Sequence, residues 1–347
     1  MAAMLSVAHY QPPPWLRNPH LQSMLASSGV RLRRGQQLLA ASGALTRELI
    51  LDGGDGVRLQ AWHSRLPGRA APVGLALLLH GWEGSAESSY MRMTAARMLE
   101  QGFEVVRLNF RDHGNTHHLN PGIFHSCRIG EVVHAAGDVA GRFPGLPLVA
   151  AGYSLGGNFA LRLALHAPAA GVPLRHVASV CPVLDPAQTM DSIERGPAMY
   201  DWYFRRKWTG SLRRKRALFP ELADCDDAVL KLGIRALTGW LVERHTGFAT
   251  LQDYFDGYSI AGPRLSALEV PADILMARDD PVIPFTSFRH WRLPAHARLE
   301  IARWGGHCGF IENLRGDGFS ERWVAQRLAA AVGVRPAAQG AVPALGA

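Results

Sequence analysis

Pro147-Leu148-Val149-Ala150-Ala151-Gly152-Tyr153-Ser154-Leu155-Gly156-Gly157-Asn158 is the stretch on which the reading of this 347-residue chain turns. It begins with an apolar run of strand length and leads into the periodic stretch Asn158 to Leu165, which reads as a helix. Between them lies G-x-S-x-G. A serine on such a strand-to-helix turn is held in a strained conformation, and the flanking glycines remove Cβ atoms that would clash there. Its hydroxyl stands exposed at the helix N-terminus. Out of context the pattern is an ordinary glycine-rich turn; in this context Ser154 is a candidate nucleophile.

The same alternation of short apolar runs and longer helical patterns extends in both directions, the signature of a mostly parallel sheet with helices on both faces. Further strands are expected at Gly74 to Leu79, Phe103 to Phe110, Val177 to Val183, Ile274 to Ala277 and Leu299 to Ala302. A hairpin, Thr46 to Leu51 and Val57 to His63 about Gly53-Gly54-Asp55-Gly56, precedes them. Tyr90 to Leu99 and Ile129 to Val139 read as crossover helices, and Phe319 to Ala331 as the last helix. Asp185 to Pro263, rich in Trp, Tyr and basic residues, is too long for a usual crossover and reads as an inserted helical cap. The expected division is an N-terminal arm over 1–45, extended around Pro12 to Pro14, and a first core part over 46–184. The cap over 185–263, a second core part over 264–332 and a disordered tail over 333–347, with RPAAQGAVPALGA, complete it.

A serine needs a base, expected from a loop after the last strand. Gly305-Gly306-His307-Cys308-Gly309-Phe310 has that position, and its glycines let the loop bring His307 to the serine. The acid that orients the imidazole is expected between them in Asp279-Asp280-Pro281-Val282-Ile283-Pro284. Asp280 is preferred, standing four residues before the closing proline, with Asp279 left to fix the turn. Asp185, ending the preceding strand, is the runner-up. An oxyanion hole requires two N–H donors. Leu155 N–H supplies one and Trp82 N–H, in His80-Gly81-Trp82-Glu83-Gly84, the other; His80 is read as bracing that turn.

Hydrophobic residues at 48% and charged residues at 19% suit a globular chain with a sizeable core. No apolar run is long enough to span a bilayer and no secretory signal is read at the start, so the expected location is cytoplasmic. The four cysteines form no CxxC pair and are read as reduced thiols. The net charge of +8 is partly local, in Arg205, Arg206, Lys207, Arg213, Arg214, Lys215 and Arg216. That run reads as a solvated helix face or, more sharply, as a surface for transient contact with anionic membrane; no nucleic-acid partner is expected. His113, His117 and His118 lack the carboxylate or cysteine partners of a metal site, and the glycine motifs of nucleotide binding are absent, so neither metal nor cofactor is expected.

Asn18-Pro19-His20-Leu21-Gln22, His80-Gly81-x-Glu83-Gly84-Ser85, Asn109-Phe110-Arg111-Asp112-His113-Gly114, Tyr153-Ser154-Leu155-Gly156-Gly157-Asn158 and Asp279-Asp280-Pro281 together resemble the YheT-like branch of the α/β-hydrolases. The resemblance runs from Pro14 to Trp323. It implies an α/β-hydrolase fold and carboxylesterase or lipase-like activity on short- to medium-chain acyl esters and glycerolipids, with a Ser, Asp, His triad and no cofactor. Asp112 departs from it, standing where glycine is common and adding a carboxylate near the expected pocket mouth. His125 matches a family histidine and is read as structural.

Thioesterase, amidase and acyltransferase chemistry share this machinery, although the H-x-x-x-x-D spacing of some acyltransferases is absent. The non-enzymatic reading is a scaffold whose cap binds lipid or protein, against which the complete triad stands. Trp202, Trp208 and Trp240 either line an acyl pocket or fill the core of the cap.

Overall fold

Leu45–Asp52 (β1) and Arg58–Arg65 (β2) form an antiparallel hairpin in full register, Leu45 opposite Arg65 and Asp52 opposite Arg58. β2 pairs antiparallel with Glu104–Leu108 (β4), and from there the sheet is parallel. The other strands are Leu75–Leu79 (β3), Leu148–Tyr153 (β5), Leu174–Val180 (β6), Ala272–Ala277 (β7) and Ala297–Ala302 (β8). The eight strands lie in the order β1-β2-β4-β3-β5-β6-β7-β8 in this computed structural model, which describes residues 6–68, 71–222, 224–288 and 290–334. The tail expected in RPAAQGAVPALGA lies outside the described residues.

Every residue of β3, β5 and β7 is buried, as continuous apolar strands covered on both faces must be. The covering helices are Ser89–Glu100 (α3), Ile129–Arg142 (α4), Leu155–His166 (α5) and Phe319–Ala331 (α10). The chain runs from β3 to β4 on one side and returns to β5 on the other, so the strand order reverses between β3 and β5. In open α/β sheets, the crevice beyond the carboxyl ends of strands at such a reversal is where ligands bind.

β6 ends at Val180, three residues before the expected Val183, because Cys181 takes a left-handed φ of 44° that an extended strand cannot continue through. The connection from β6 to β7 carries Pro186–Arg195 (α6), Ala198–Leu218 (α7), Ile234–His245 (α8) and Leu251–Tyr258 (α9). The residues expected to form an N-terminal arm contain two helices, Pro19–Ala26 (α1) and Gly29–Ala41 (α2). Asn18 Oδ1 caps α1 by accepting from His20 and Leu21 N–H, with Pro19 at the first helical position. These helices bury Gln22 and Arg31 along with apolar residues, so no clean apolar period announces them. No helix among the described residues is long and apolar enough to cross a membrane.

Candidate active site

Ser154 stands between β5 and α5 with φ 55° and ψ −120°, a conformation that L-residues hold only when the surroundings enforce it. Its N–H donates to Val180 O at 2.9 Å, and its carbonyl accepts from Asn158 N–H at 3.1 Å. The turn is closed by contacts that exclude a side chain. A Cβ on Gly152 would lie 2.0 Å from Gly156 O, and one on Gly156 would lie 2.3 Å from Leu79 O.

His307 Nε2 lies 2.8 Å from Ser154 Oγ, and His307 Nδ1 lies 2.9 Å from Asp280 Oδ2. An ionised carboxylate only accepts, so Nδ1–H donates to Asp280 and Nε2 is left to take the serine proton. Asp280 is fixed in turn: its Oδ1 accepts from Val282 and Ile283 N–H at 2.8 and 2.9 Å. Burial pulls the His307 imidazole down, but the Asp280 carboxylate, with Cys308, outweighs it and pushes the ring up to about 9.

The other two carboxylates have different partners. Asp279 Oδ1 accepts from Gly306 N–H at 3.0 Å, bracing the loop that carries His307. Asp185 caps α6, accepting from Gln188 N–H at 3.1 Å.

The turn after β3 packs on the serine: a Cβ on Gly81 would lie 3.3 Å from Ser154 Cβ. Gly81 N–H donates to Tyr90 OH at 2.9 Å. Among the described residues, neither Trp82 N–H, in the turn that packs on the serine, nor Leu155 N–H, next to it in the chain, donates to a protein acceptor. His80 spans this turn and the next, with Nδ1 2.7 Å from Gly81 O and Nε2 accepting from Phe110 N–H at 3.2 Å. Burial, with His113 beside it, holds this ring well below its ordinary value, so it stays neutral and serves both partners.

Ser154 opens into a largely apolar pocket walled by Met190, Ile193, Phe204, Trp208, Ile234 and Leu241 from α6, α7 and α8, with His125, Tyr254 and Val282 among its other lining residues. The Trp82 indole stacks on Phe204, centroids 5.3 Å apart, and meets Trp208 edge-on at 5.4 Å. Of the three tryptophans between β6 and β7, Trp202, Trp208 and Trp240, only Trp208 lines the pocket. Trp202 is 58% exposed, and Trp240 packs on His245. His125 Nδ1 is buried with no partner among the described residues, and burial beside Arg128 and Arg111 pushes its ring down to about 3.

Asp112 does not line this pocket; it is buried against Lys215. His113 Nδ1 is 2.8 Å from Arg111 O, and its Nε2 accepts from Glu83 N–H. His117 pairs with Ser211 Oγ at 2.8 Å, and His118 is exposed. Tyr90, Ser23 and Tyr200 sit behind the site and carry no sequence signal of their own; the Asn18 to Gln22 motif is the one pointer toward this region.

Residues 76–322 match the alpha/beta hydrolase family. The chain is 30% identical over 315 residues to "Putative esterase YheT" of Escherichia coli K12, with 88% of each chain covered. It is 26% identical over 244 residues to the mouse phospholipase ABHD3; that match covers 69% of this chain and 58% of the length of the mouse protein. Among solved structures, the Pyrococcus furiosus esterase Pf2001 superposes with a TM-score of 0.55 at 14% identity, covering 84% of this chain and 92% of that one. An esterase of Pyrobaculum calidifontis gives 0.54 at 18% identity, covering 91% and 97%. At such identities the structural likeness is one of fold, but the family match spans most of the chain. This protein belongs to the α/β-hydrolase family, in its YheT-like branch.

Proposed function

We propose that this chain is a serine hydrolase that cleaves carboxylic esters, acting on short- to medium-chain acyl esters and glycerolipids. The observation that carries the reading is the unbroken line from Asp280 through His307 to Ser154 at the floor of an apolar pocket. Ser154 Oγ attacks the ester carbonyl carbon while its proton passes to His307 Nε2. The carbonyl oxygen becomes an oxyanion held by Trp82 and Leu155 N–H. Collapse expels the alcohol, which takes the proton from His307, and leaves an acyl group on Ser154. Water, deprotonated by His307, attacks that acyl group, and the acid departs as Ser154 regains its proton. Asp280 stays ionised throughout and stabilises the imidazolium.

In this reading, residues 185–263 are a cap that receives the acyl chain, with Trp208 and Leu241 in its wall. The outward face of α7, with exposed Arg206, Arg213, Arg214 and Trp202, supports transient contact with anionic lipid. Co-sedimentation with anionic liposomes that weakens as salt rises is the expected result for that contact.

The experiment that tests the enzyme reading is hydrolysis of a p-nitrophenyl ester series from acetate to palmitate by the wild type and Ser154→Ala. Turnover that vanishes in the variant is expected. No turnover on any ester, with a fluorophosphonate failing to label Ser154, overturns it in favour of a binding scaffold.

A further inference from the structure

The residues that carry His307 form no helix or strand. Gly305, Gly306, Cys308 and Phe310 all have positive φ, at 147°, 53°, 56° and 45°. Asp279 holds Gly306 N–H, the Gly309 and Phe310 N–H groups close back on Gly305 O, and a segment almost three hundred residues earlier holds His307 and Ile311. Ser23 Oγ accepts from His307 N–H at 2.8 Å and spends its own proton on Pro19 O at 2.7 Å, so its free lone pair is aimed at the loop. Gln22, fully buried, treats Ile311 as a strand neighbour would: Oε1 accepts from Ile311 N–H at 2.8 Å, and Nε2 donates to Ile311 O at 3.1 Å. Nε2 also reaches Leu16 O at 2.8 Å, which ties the amide back to its own segment.

Backbone meets backbone without space between. A Cβ on Gly306 would stand 2.3 Å from Pro19 O, and one on Gly309 would stand 2.7 Å from Gln22 O. His20 Nδ1 is 3.0 Å from Tyr200 OH, on the helix whose Phe204 and Trp208 wall the pocket.

We propose that Ser23 and Gln22 are positioning residues for His307, so that α1 completes the active site by fixing the backbone of the base while Asp280 fixes its ring. The proposal rests on the hydrolytic reading above. It accounts for four of the five residues of the Asn18 to Gln22 motif. Asn18 and Pro19 start the helix, Gln22 and its neighbour Ser23 grip the loop, and His20 joins the grip to the pocket wall. A displacement of the imidazole by an ångström is enough to lower turnover by about a hundredfold, so the loss of one such bond falls on kcat.

The test compares Ser23→Ala, which deletes the acceptor, with Ser23→Thr, which keeps it. Three readouts are taken: kcat and KM on the best p-nitrophenyl ester, thermal unfolding, and the His307 imidazole titration followed by NMR. For Ser23→Ala the expectation is a kcat lower by about tenfold or more, a KM changed by less than about twofold and a displaced His307 titration. Ser23→Thr is expected to restore both kcat and the titration. A Ser23→Ala enzyme with wild-type kcat and an unmoved titration overturns the clamp. So does a loss of kcat that Ser23→Thr shares in full. Should Ser23→Ala not fold, Ser23→Cys, a weaker acceptor, carries the same comparison. If the wild type turns over no ester and a fluorophosphonate does not label Ser154, the hydrolytic reading fails on its own, and the NMR titration still decides whether Ser23 fixes His307.

Discussion

Asp112 Oδ1 and Lys215 Nζ lie 2.7 Å apart with side chains only 5% and 1% exposed, joining the loop after β4 to helix α7. Lys215 also donates to the carbonyls of His117 and Asn120, and Asp112 Oδ2 accepts from Phe124 N–H. Burial pushes the Asp112 carboxyl up and the Lys215 ammonium down, each opposed by the charge of the other. Such a pair is weak evidence of net stabilisation, yet breaking it strands a buried charge. Lys215→Met is therefore expected to destabilise the protein by about 3–5 kcal/mol, and the double variant Asp112→Leu with Lys215→Met by less. Urea denaturation of the three proteins checks the ranking.

The pH profile follows from His307. Its folded value is pushed up to about 9, and only the neutral imidazole takes the serine proton, so kcat/KM rises with pH through that region. Asp280→Asn removes the charge that favours the protonated ring and leaves burial to lower it. The acid limb then moves to lower pH while kcat falls by about 10⁴-fold. Asp279→Asn keeps an oxygen for Gly306 N–H, and its kcat is expected to stay within about tenfold of wild type. The opposite ranking of the two variants would make Asp279 the acid.

Gly156→Ala tests the elbow. The added methyl would meet the Leu79 and His80 carbonyl oxygens at 2.3 and 2.4 Å, both backbone atoms that cannot swing aside. Loss of activity together with destabilisation of about 3 kcal/mol or more is expected from thermal unfolding. An active, equally stable variant would contradict the close approach of β3 to α5.

Leu241→Trp fills pocket volume from α8 and leaves the residues Ser154, His307 and Asp280 themselves unchanged. The optimum in the p-nitrophenyl series is expected to move toward shorter acyl chains, with the acetate rate within about threefold of wild type. An unchanged optimum would place the acyl chain elsewhere.

Where sequence and structure agree, the information is local. The run Pro147 to Asn158 specifies strand, turn and helix through neighbours a few residues apart, and the glycines beside Ser154 and His307 are visible as such. What escapes the sequence is set by long-range contact. Lys215 sits in a basic run that reads as a solvated face, and its burial depends on a carboxylate 103 residues away. Trp202, Trp208 and Trp240 are equivalent by composition, and only the packing of α7 and α8 puts one in the pocket and one in solvent. The two N-terminal helices read as an arm because buried Gln22 and Arg31 break their apolar period. Both polar groups find partners near the other end of the chain that no local pattern announces, Gln22 at Ile311 and Arg31 at Gly309 O and Glu321.

The positive φ of Ser154 sets reactivity against robustness. A non-glycine residue held there costs the folded state about 1–3 kcal/mol, a strain that glycine would not feel. Ser154→Gly should therefore melt at a higher temperature than the wild type while hydrolysing nothing. Under the proposed function, selection for heat resistance alone would draw this position toward glycine, and the strain is what presenting a nucleophilic hydroxyl on the turn requires.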